Sequence, residues 1–369
     1  MPIITTNDIR SIIYQNNQLF IPDAIESAIM STFKEKELIE SVGIKLLTAY
    51  REMDKPIRFD YSENGVPDAY ALFYTRRNTL VPRIAFRDLL LNPHFHQLPP
   101  EIRVLDLGSG TGAVILGLLD MFAHAPLNKI AVHIHAVDIS RPMLDKLEEL
   151  VRSTQFNPKS LKTTVLDLRD ITQLQSVLRS SGKFDFIFAA NIFAELDQTE
   201  AVNVLTSVAP YLNNDGAIVI VDAQRNHGKF MLPVLIPAAH NVGLNVYYPC
   251  PPSKSHSCGQ CWFWREDAYS YNPIIIEGRP IGERYREQLV AHWLILTKNG
   301  CSIYDDFMQG QNLDWGPISF FGEDSINNDS QVCTPKEIKN HLRVGKECKR
   351  GSIVGGSGNP FKITQYFEL

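Results

Sequence analysis

From Arg103 to about Ala239 the chain alternates short apolar runs with amphipathic segments. VLDLG is followed by AVILGLLDMFA, VHIHAVDI by PMLDKLEELVR, and LKTTVLDL by a helical segment through Ser176 to Leu178. FDFIFAAN is followed by AVNVLTSVAPYL, and AIVIVDA by a helix near Met231 to Ala239. Alternation at this spacing predicts an α/β fold with a doubly wound parallel sheet. GLNVYYPC and HWLILTKN then read as strands six and seven of that sheet, separated by a cysteine-bearing insertion at 249–290. With 369 residues, 44% hydrophobic and 21% charged, core size is not limiting, and there is room for further elements around one large domain.

Ahead of the alternation, residues 1–97 read as a helical region, with apolar residues at three- and four-residue spacing in IRSIIYQ, AIESAIMSTF and LIESVGIKLLTAY. Pro67 to Leu91 predicts two more helices, the second starting near Thr79 with Pro82 in its first turn, where proline is tolerated. The expected organisation is this helical region, a domain at 98–300 carrying the insertion, and a C-terminal extension at 301–369. The extension is richer in Asn, Gly and Ser and has weaker periodicity; KITQYFEL at its end is a candidate strand.

A formal charge of -5 argues against a surface that is basic throughout, although a local basic patch fits inside that average. MPIITTNDIRSIIYQ lacks the basic run and apolar stretch of an export signal, and no run reaches the roughly 18 to 20 apolar residues of a membrane span. The expectation is a soluble, cytoplasmic protein without a membrane partner.

Between the first strand and its helix stands Asp106-Leu107-Gly108-Ser109-Gly110-Thr111-Gly112. Glycines here allow a tight bend and the approach of a ligand to bare backbone. A dinucleotide fingerprint spaces its glycines GxGxxG, whereas these recur at every second residue behind an acid. That pattern resembles the first motif of class I methyltransferases. The resemblance puts Asp106 near the amino-acid moiety of S-adenosylmethionine, where a carboxylate suits a cation and would repel a pyrophosphate.

Asp138, closing the second strand with Ile139 after it, is placed to accept from ribose hydroxyls. Capping of the following helix is the competing role, one that Ser140 can also fill. The resemblance places Asp167 and Leu168 around the adenine, although an acid after a strand is also a common cap. The fourth strand ends at Asn191, beside the expected methyl group, without the NPPY-type tetrapeptide of amino-methylating enzymes. Methyl transfer relies chiefly on alignment, so a catalytic base is optional. Asn191 and Glu195 are the catalytic candidates, with capping or solvation the other role for Glu195.

Three of the six cysteines, Cys250, Cys258 and Cys261, fall in CPPSKSHSCGQC. The spacing suggests a metal staple more than crosslinking, and either zinc or an iron-sulfur cluster would need a fourth ligand. Three buried free cysteines are the alternative. The segment resembles a specific family, the methyltransferase-like proteins of the small ribosomal subunit, with bacterial members and mitochondrial assembly factors. The likeness rests on DAYALFYTRRNTLVPRIAFRDLL, VLDLGSGTGA, VDISRPML, ANIFAEL, IVIVDAQRNHGKFMLPVL and, above all, YYPCPP followed by CxxCWFWR, across roughly 67–300. Asp222-Ala-Gln stands where that family more often has Glu-Pro-Gly.

The resemblance implies a 4Fe-4S cluster on Cys250, Cys258 and Cys261, with a fourth cysteine from the tail. Cys348 in KECKRG matches best, ahead of Cys333 and Cys301, and with zinc His256 could replace a cysteine. It further implies action on, or assembly of, the small subunit and its rRNA. Seven Lys or Arg against three Glu in Thr334–Leu369 provide a basic surface, and Trp262, Phe263 and Trp264 are stacking candidates, although packing against the cluster is the commoner use. Two other functions fit the same residues: a small-molecule methyltransferase with a metal-stapled lid, and an assembly factor that binds the cofactor without reacting it.

Overall fold

The computed structural model describes residues 3–4, 6–15, 18–32, 41–43, 46, 60–90, 92–223, 231–249, 265–270, 274–276, 279–281, 288–303, 315–324, 329–333, 338–342, 353–356 and 365–367. Among these, the central sheet holds β3 (Glu101–Leu107), β4 (Ala131–Asp138), β5 (Ser160–Val165), β6 (Phe184–Ala190), β7 (Leu212–Ala223), β8 (Asn245–Tyr248) and β12 (Gln288–Thr297). Their order is β5-β4-β3-β6-β7-β12, with β8 on the outer side of β12. The pairs among β3 to β7 are parallel; β12 runs antiparallel to β7 and to β8. The chain-order reversal between β4 and β6, on either side of β3, opens a crevice at the carboxyl ends, where such sheets bind ligands.

The strands form because their runs suit burial on both faces: Phe184, Phe186, Ile187, Phe188 and Ala189 of β6 are all buried. Helices Ala113–Ala123, Arg141–Ser153, Ile171–Ser181, Gln198–Val208 and Met231–Asn241 cover the faces at the predicted places. Ser140 caps the second of these, and an Asp197–Glu200 capping box starts the fourth.

The region ahead of β3 departs from the all-helical expectation. α1 (Thr6–Ile13) and α2 (Asp23–Ser31) flank a ribbon of β1 (Tyr14–Gln15) and β2 (Gln18–Phe20). β2 pairs in parallel with β9 (Arg265–Ser270) of the insertion, and β9 pairs with the first half of β12. Strands of two and three residues are too short to show a period, and the second partner of β2 lies far along the chain. The predicted helix pair is present as Val66–Tyr70, a π turn at Ala71–Thr75, Arg76–Asn78 and Leu80–Leu89, with Pro82 in the first turn of the last segment.

This last helix docks on helix Ala113–Ala123 through buried charge. Arg83 pairs with Asp120, donates to the Phe20 carbonyl at 3.2 Å, and lies 5.4 Å from the Phe20 ring centre. Burial pulls Arg83 down and pushes Asp120 up; their mutual attraction opposes both shifts. Gly117 permits the approach, since a Cβ there would overlap the Thr79 carbonyl. Phe86 reaches through to Phe186 of the sheet, ring centres 4.9 Å apart.

In the tail, β13 (Trp315–Asp324), β14 (Asp329–Cys333), β15 (Ile338–Leu342), β16 (Ile353–Gly356) and β17 (Gln365–Phe367) form a separate antiparallel sheet, ordered β15-β14-β13-β16-β17. KITQYFEL supplies β17. The other four strands were illegible because their Asn, Gly and Ser content blurs the period of two. Cys250, Cys258, Cys261, His256, Trp262, Phe263, Trp264 and Cys348 lie outside the described residues. Cys333 ends β14, and Cys301 is half-buried just after β12. Among the described residues no group of three or more His, Cys, Asp or Glu is placed to hold a metal, and no helix is long and apolar enough to cross a membrane.

Candidate active site

The loop after β3 is held by its own backbone. Ser109 N donates to Val137 O at 3.0 Å, and Gly112 N to Ser109 O at 2.8 Å. All three predicted glycines have positive φ: +65° at Gly108, +52° at Gly110 and +87° at Gly112. A Cβ on Gly108 would strike Ile192, and one on Gly112 would strike Leu147. At Gly110 the nearest atom is Met143 Cε at 3.5 Å, so this residue borders open space. From the other side, the Thr111 hydroxyl bonds to that of Thr75 in the π turn, tying the loop to the amino-terminal region.

Asp138, at the end of β4, accepts from Gly110 N through Oδ2 at 2.8 Å and from Ser140 N through Oδ1 at 2.9 Å. Its carboxylate thereby ties the loop to the adjacent turn, while each oxygen keeps a lone pair for a further donor. Helix capping falls to Ser140, whose Oγ accepts from Met143 N at 3.4 Å. Burial raises the Asp138 pKa, and the backbone bonds from Ser140, Gly110 and Ile139 resist that shift. Ile139 is 51% exposed, a large apolar side chain left uncovered at this point.

Asp106 lies beneath the loop, 1% exposed, and its Oδ2 has no hydrogen-bond partner. Burial pushes its pKa up to about 8; Ser109 pulls it down and the nearby Asp138 adds to the rise. A buried oxygen without a partner is costly unless something supplies a donor or a cation.

The third and fourth strand ends complete the site. Asp167 is engaged by Arg169, through its backbone N at 3.0 Å and its guanidinium at 2.7 to 3.1 Å, which lowers the Asp167 pKa. Leu168 is buried beside it. Asn191 holds a φ of +59°, uncommon for a residue with a side chain, and donates its N–H to Val221 O at 2.7 Å. Glu195 accepts from the Tyr61 hydroxyl at 2.7 Å.

These residues enclose a cavity of about 480 Å³. Of those singled out in the sequence, Gly108, Gly110, Asp138, Ile139, Asp167, Leu168, Asn191 and Glu195 line it. Asp106, Ser109, Thr111 and Gly112 are buried and shape the loop instead. Sequence reasoning missed Asp60, Tyr61, Tyr70, Met143 and Arg169, which also line the cavity. Arg169 had a local signal, two residues after an acid at a strand end. Tyr61 had none.

Residues 98–263 match the family model described as a methyltransferase domain. No curated protein matches the chain. Among solved structures, magnesium protoporphyrin IX methyltransferase from Synechocystis with bound S-adenosylmethionine is 11% identical, over 72% of this chain and 97% of that one, with a TM-score of 0.38. A TehB-like S-adenosylmethionine-dependent methyltransferase from Corynebacterium glutamicum is 17% identical, over 55% and 82%, with a TM-score of 0.34. The ribosomal protein L11 methylase of Lactobacillus delbrueckii is 18% identical, over 47% and 72%, at 0.32. TM-scores this low add nothing to what the sequence match carries. Residues 98–263 are, by this match, similar to a methyltransferase domain.

Proposed function

We propose that the cavity holds S-adenosylmethionine and that the chain methylates, or assembles, the small ribosomal subunit or its rRNA in the cytoplasm. In this proposal a 4Fe-4S cluster sits on Cys250, Cys258, Cys261 and Cys348, with zinc as the other metal. The observation that carries the cofactor assignment is the convergence of four strand ends on one cavity beside a buried carboxyl lacking a partner. The metal and the ribosomal role are supported by the cysteine spacing and by the resemblance read from the sequence.

When bound, S-adenosylmethionine would supply an electrophilic methyl group, whose bond to sulfur would break as a bond to the acceptor's nucleophilic atom forms, with the neutral thioether as leaving group. The protein's part is alignment, worth up to about 7 to 11 kcal/mol in favourable cases. Asp138 offers its remaining lone pairs to vicinal hydroxyls. Ile139, Leu168 and Met143 provide apolar surface that excludes water. Asp106, protonated near neutrality when its oxygen lacks a partner, loses that proton in favour of a nearby cation.

A second reading takes a small molecule as acceptor; it is favoured by Tyr61 and Tyr70, which narrow the cavity from the amino-terminal side. Equilibrium dialysis with labelled S-adenosylmethionine tests the cofactor. Wild type binds, and Asp138→Ala weakens binding by about a hundredfold through loss of the ligand and loop bonds; equal affinity would overturn the assignment. Label transferred to small-subunit particles, with salt-sensitive co-sedimentation, supports the ribosomal reading over the small-molecule one. Binding without transfer to either acceptor class identifies a cofactor-binding assembly factor. Anaerobic purification separates brown iron-sulfur protein from colourless zinc protein.

A further inference from the structure

The matched methyltransferase domain begins at residue 98, yet one wall of the cavity is formed by Asp60, Tyr61 and Tyr70. Tyr61 is anchored on the β4 side, where its carbonyl accepts from Ser140 Oγ at 3.2 Å and the neighbouring Ser62 Oγ lies 3.3 Å from the same hydroxyl. Its ring stands edge-on to Tyr70, centres 6.0 Å apart and planes at 84°. Tyr70 in turn packs on Tyr74, centres 5.1 Å apart. The phenol then reaches the β6 side and donates to Glu195 Oε1 at 2.7 Å. Backbone on one wall and hydroxyl on the other make Tyr61 a bridge between the ends of β4 and β6, the strands on either side of the glycine loop.

We propose that Tyr61 is a cofactor-retaining residue: its bond to Glu195 latches the amino-terminal region across the cavity, and the cofactor enters and leaves only when that bond opens. The proposal rests on the reading that the cavity holds S-adenosylmethionine. A phenol donating to a carboxylate is a charge-assisted bond, stronger than a neutral pair and held here in a partly buried position. Because Tyr61, the donor of the latch, lies outside the matched domain, that domain alone would hold the cofactor in a more open cleft. The amino-terminal region thus works as part of the binding site as well as a support for the glycine loop, to which Thr75 already ties it.

The test is release of tritiated S-adenosylmethionine from the full chain, chased with unlabelled S-adenosylhomocysteine. Tyr61→Phe and Glu195→Ala are each expected to speed release by about tenfold, the loss of one bond to a charged group. The double variant is expected to be no faster than either single one, since both remove the same bond. Release within twofold of wild type in both variants overturns the latch, as does a double variant in which the two effects multiply. A wild type that retains no label overturns the cofactor reading itself, and the latch with it. If Glu195→Ala does not fold, Glu195→Gln replaces it, removing the charge while keeping the shape, and a smaller acceleration in the same direction is expected.

Discussion

The two ends of the parallel sheet each carry a cavity, and they differ in everything but size. At the amino end about 580 Å³ is lined by residues including Arg103, His133, His135, Lys162 and Asp185. There the polar groups bond to one another. His135 sits between Thr164 Oγ1 at 2.9 Å and Ser181 Oγ at 3.0 Å, and Asp185 accepts from Arg103 N and Asn213. At the carboxyl end about 480 Å³ is bordered by two left-handed glycines, Gly108 and Gly110, a left-handed Asn191, an uncovered Ile139 and, beneath the loop, the partnerless Asp106 oxygen. Volume therefore does not mark a site. Unmet bonding capacity and strained backbone do, because both cost stability that a ligand can offset.

Substituting one glycine at each end breaks this comparison most sharply. Gly112→Val meets both a φ of +87° and the Leu147 side chain, and is expected to destabilise by about 3 to 5 kcal/mol in denaturant melts. Gly182→Ala at the amino end meets a φ of +78° with a ψ of −157°, a region kept almost wholly to glycine, but no atom nearer than Arg103 Nη1 at 3.4 Å, so about 1 to 3 kcal/mol is expected. Equal costs would mean that the carboxyl-end loop is not specially constrained.

The two ends should also titrate in opposite senses. Folded Asp106, at about 8, keeps a proton that the unfolded chain has released. Its contribution to stability therefore falls as pH rises from about 4 to 8, by up to about 1.4 kcal/mol per pH unit. Burial, aided by Lys162 and Arg103, holds folded His135 down at about 4, so the unfolded chain takes up the proton first. Stability from that end is lost as pH falls from 6.5 toward 4. Melting temperature against pH should decline between 6.5 and 8, with Asp106→Asn flattening that limb and His135→Gln flattening the acid one. A profile unchanged by Asp106→Asn would show that the buried carboxyl does not hold its proton.

The smallest effect is expected at Lys162, exposed on the amino-end cavity. Lys162→Ala should shift stability by no more than about 0.5 kcal/mol. Cofactor release should be unaltered, and an altered rate would point to coupling between the two ends.

Much of the carboxyl end was legible beforehand. Asp106 through Gly112 and Asp138 could be read because a βα turn is made by consecutive residues, and the glycines required there have few substitutes. Asp167, expected around the adenine, lines the cavity, but its fork to Arg169 was not legible, since a strand-end acid carries no mark of its partner. The amino end escaped notice because His135, Ser181 and Thr164 come from three separate elements.

By itself the sequence determined the alternating sheet, the glycine loop and the acids at the strand ends. All of these are set within a few residues of chain by periodicity, turn geometry and charge. Only the tertiary structure decided that Tyr61 meets Glu195 across 134 residues, that Arg83 is buried against Asp120, and that β2 joins β9. Such pairings depend on how finished elements pack, and no local period encodes which distant partner a side chain will find.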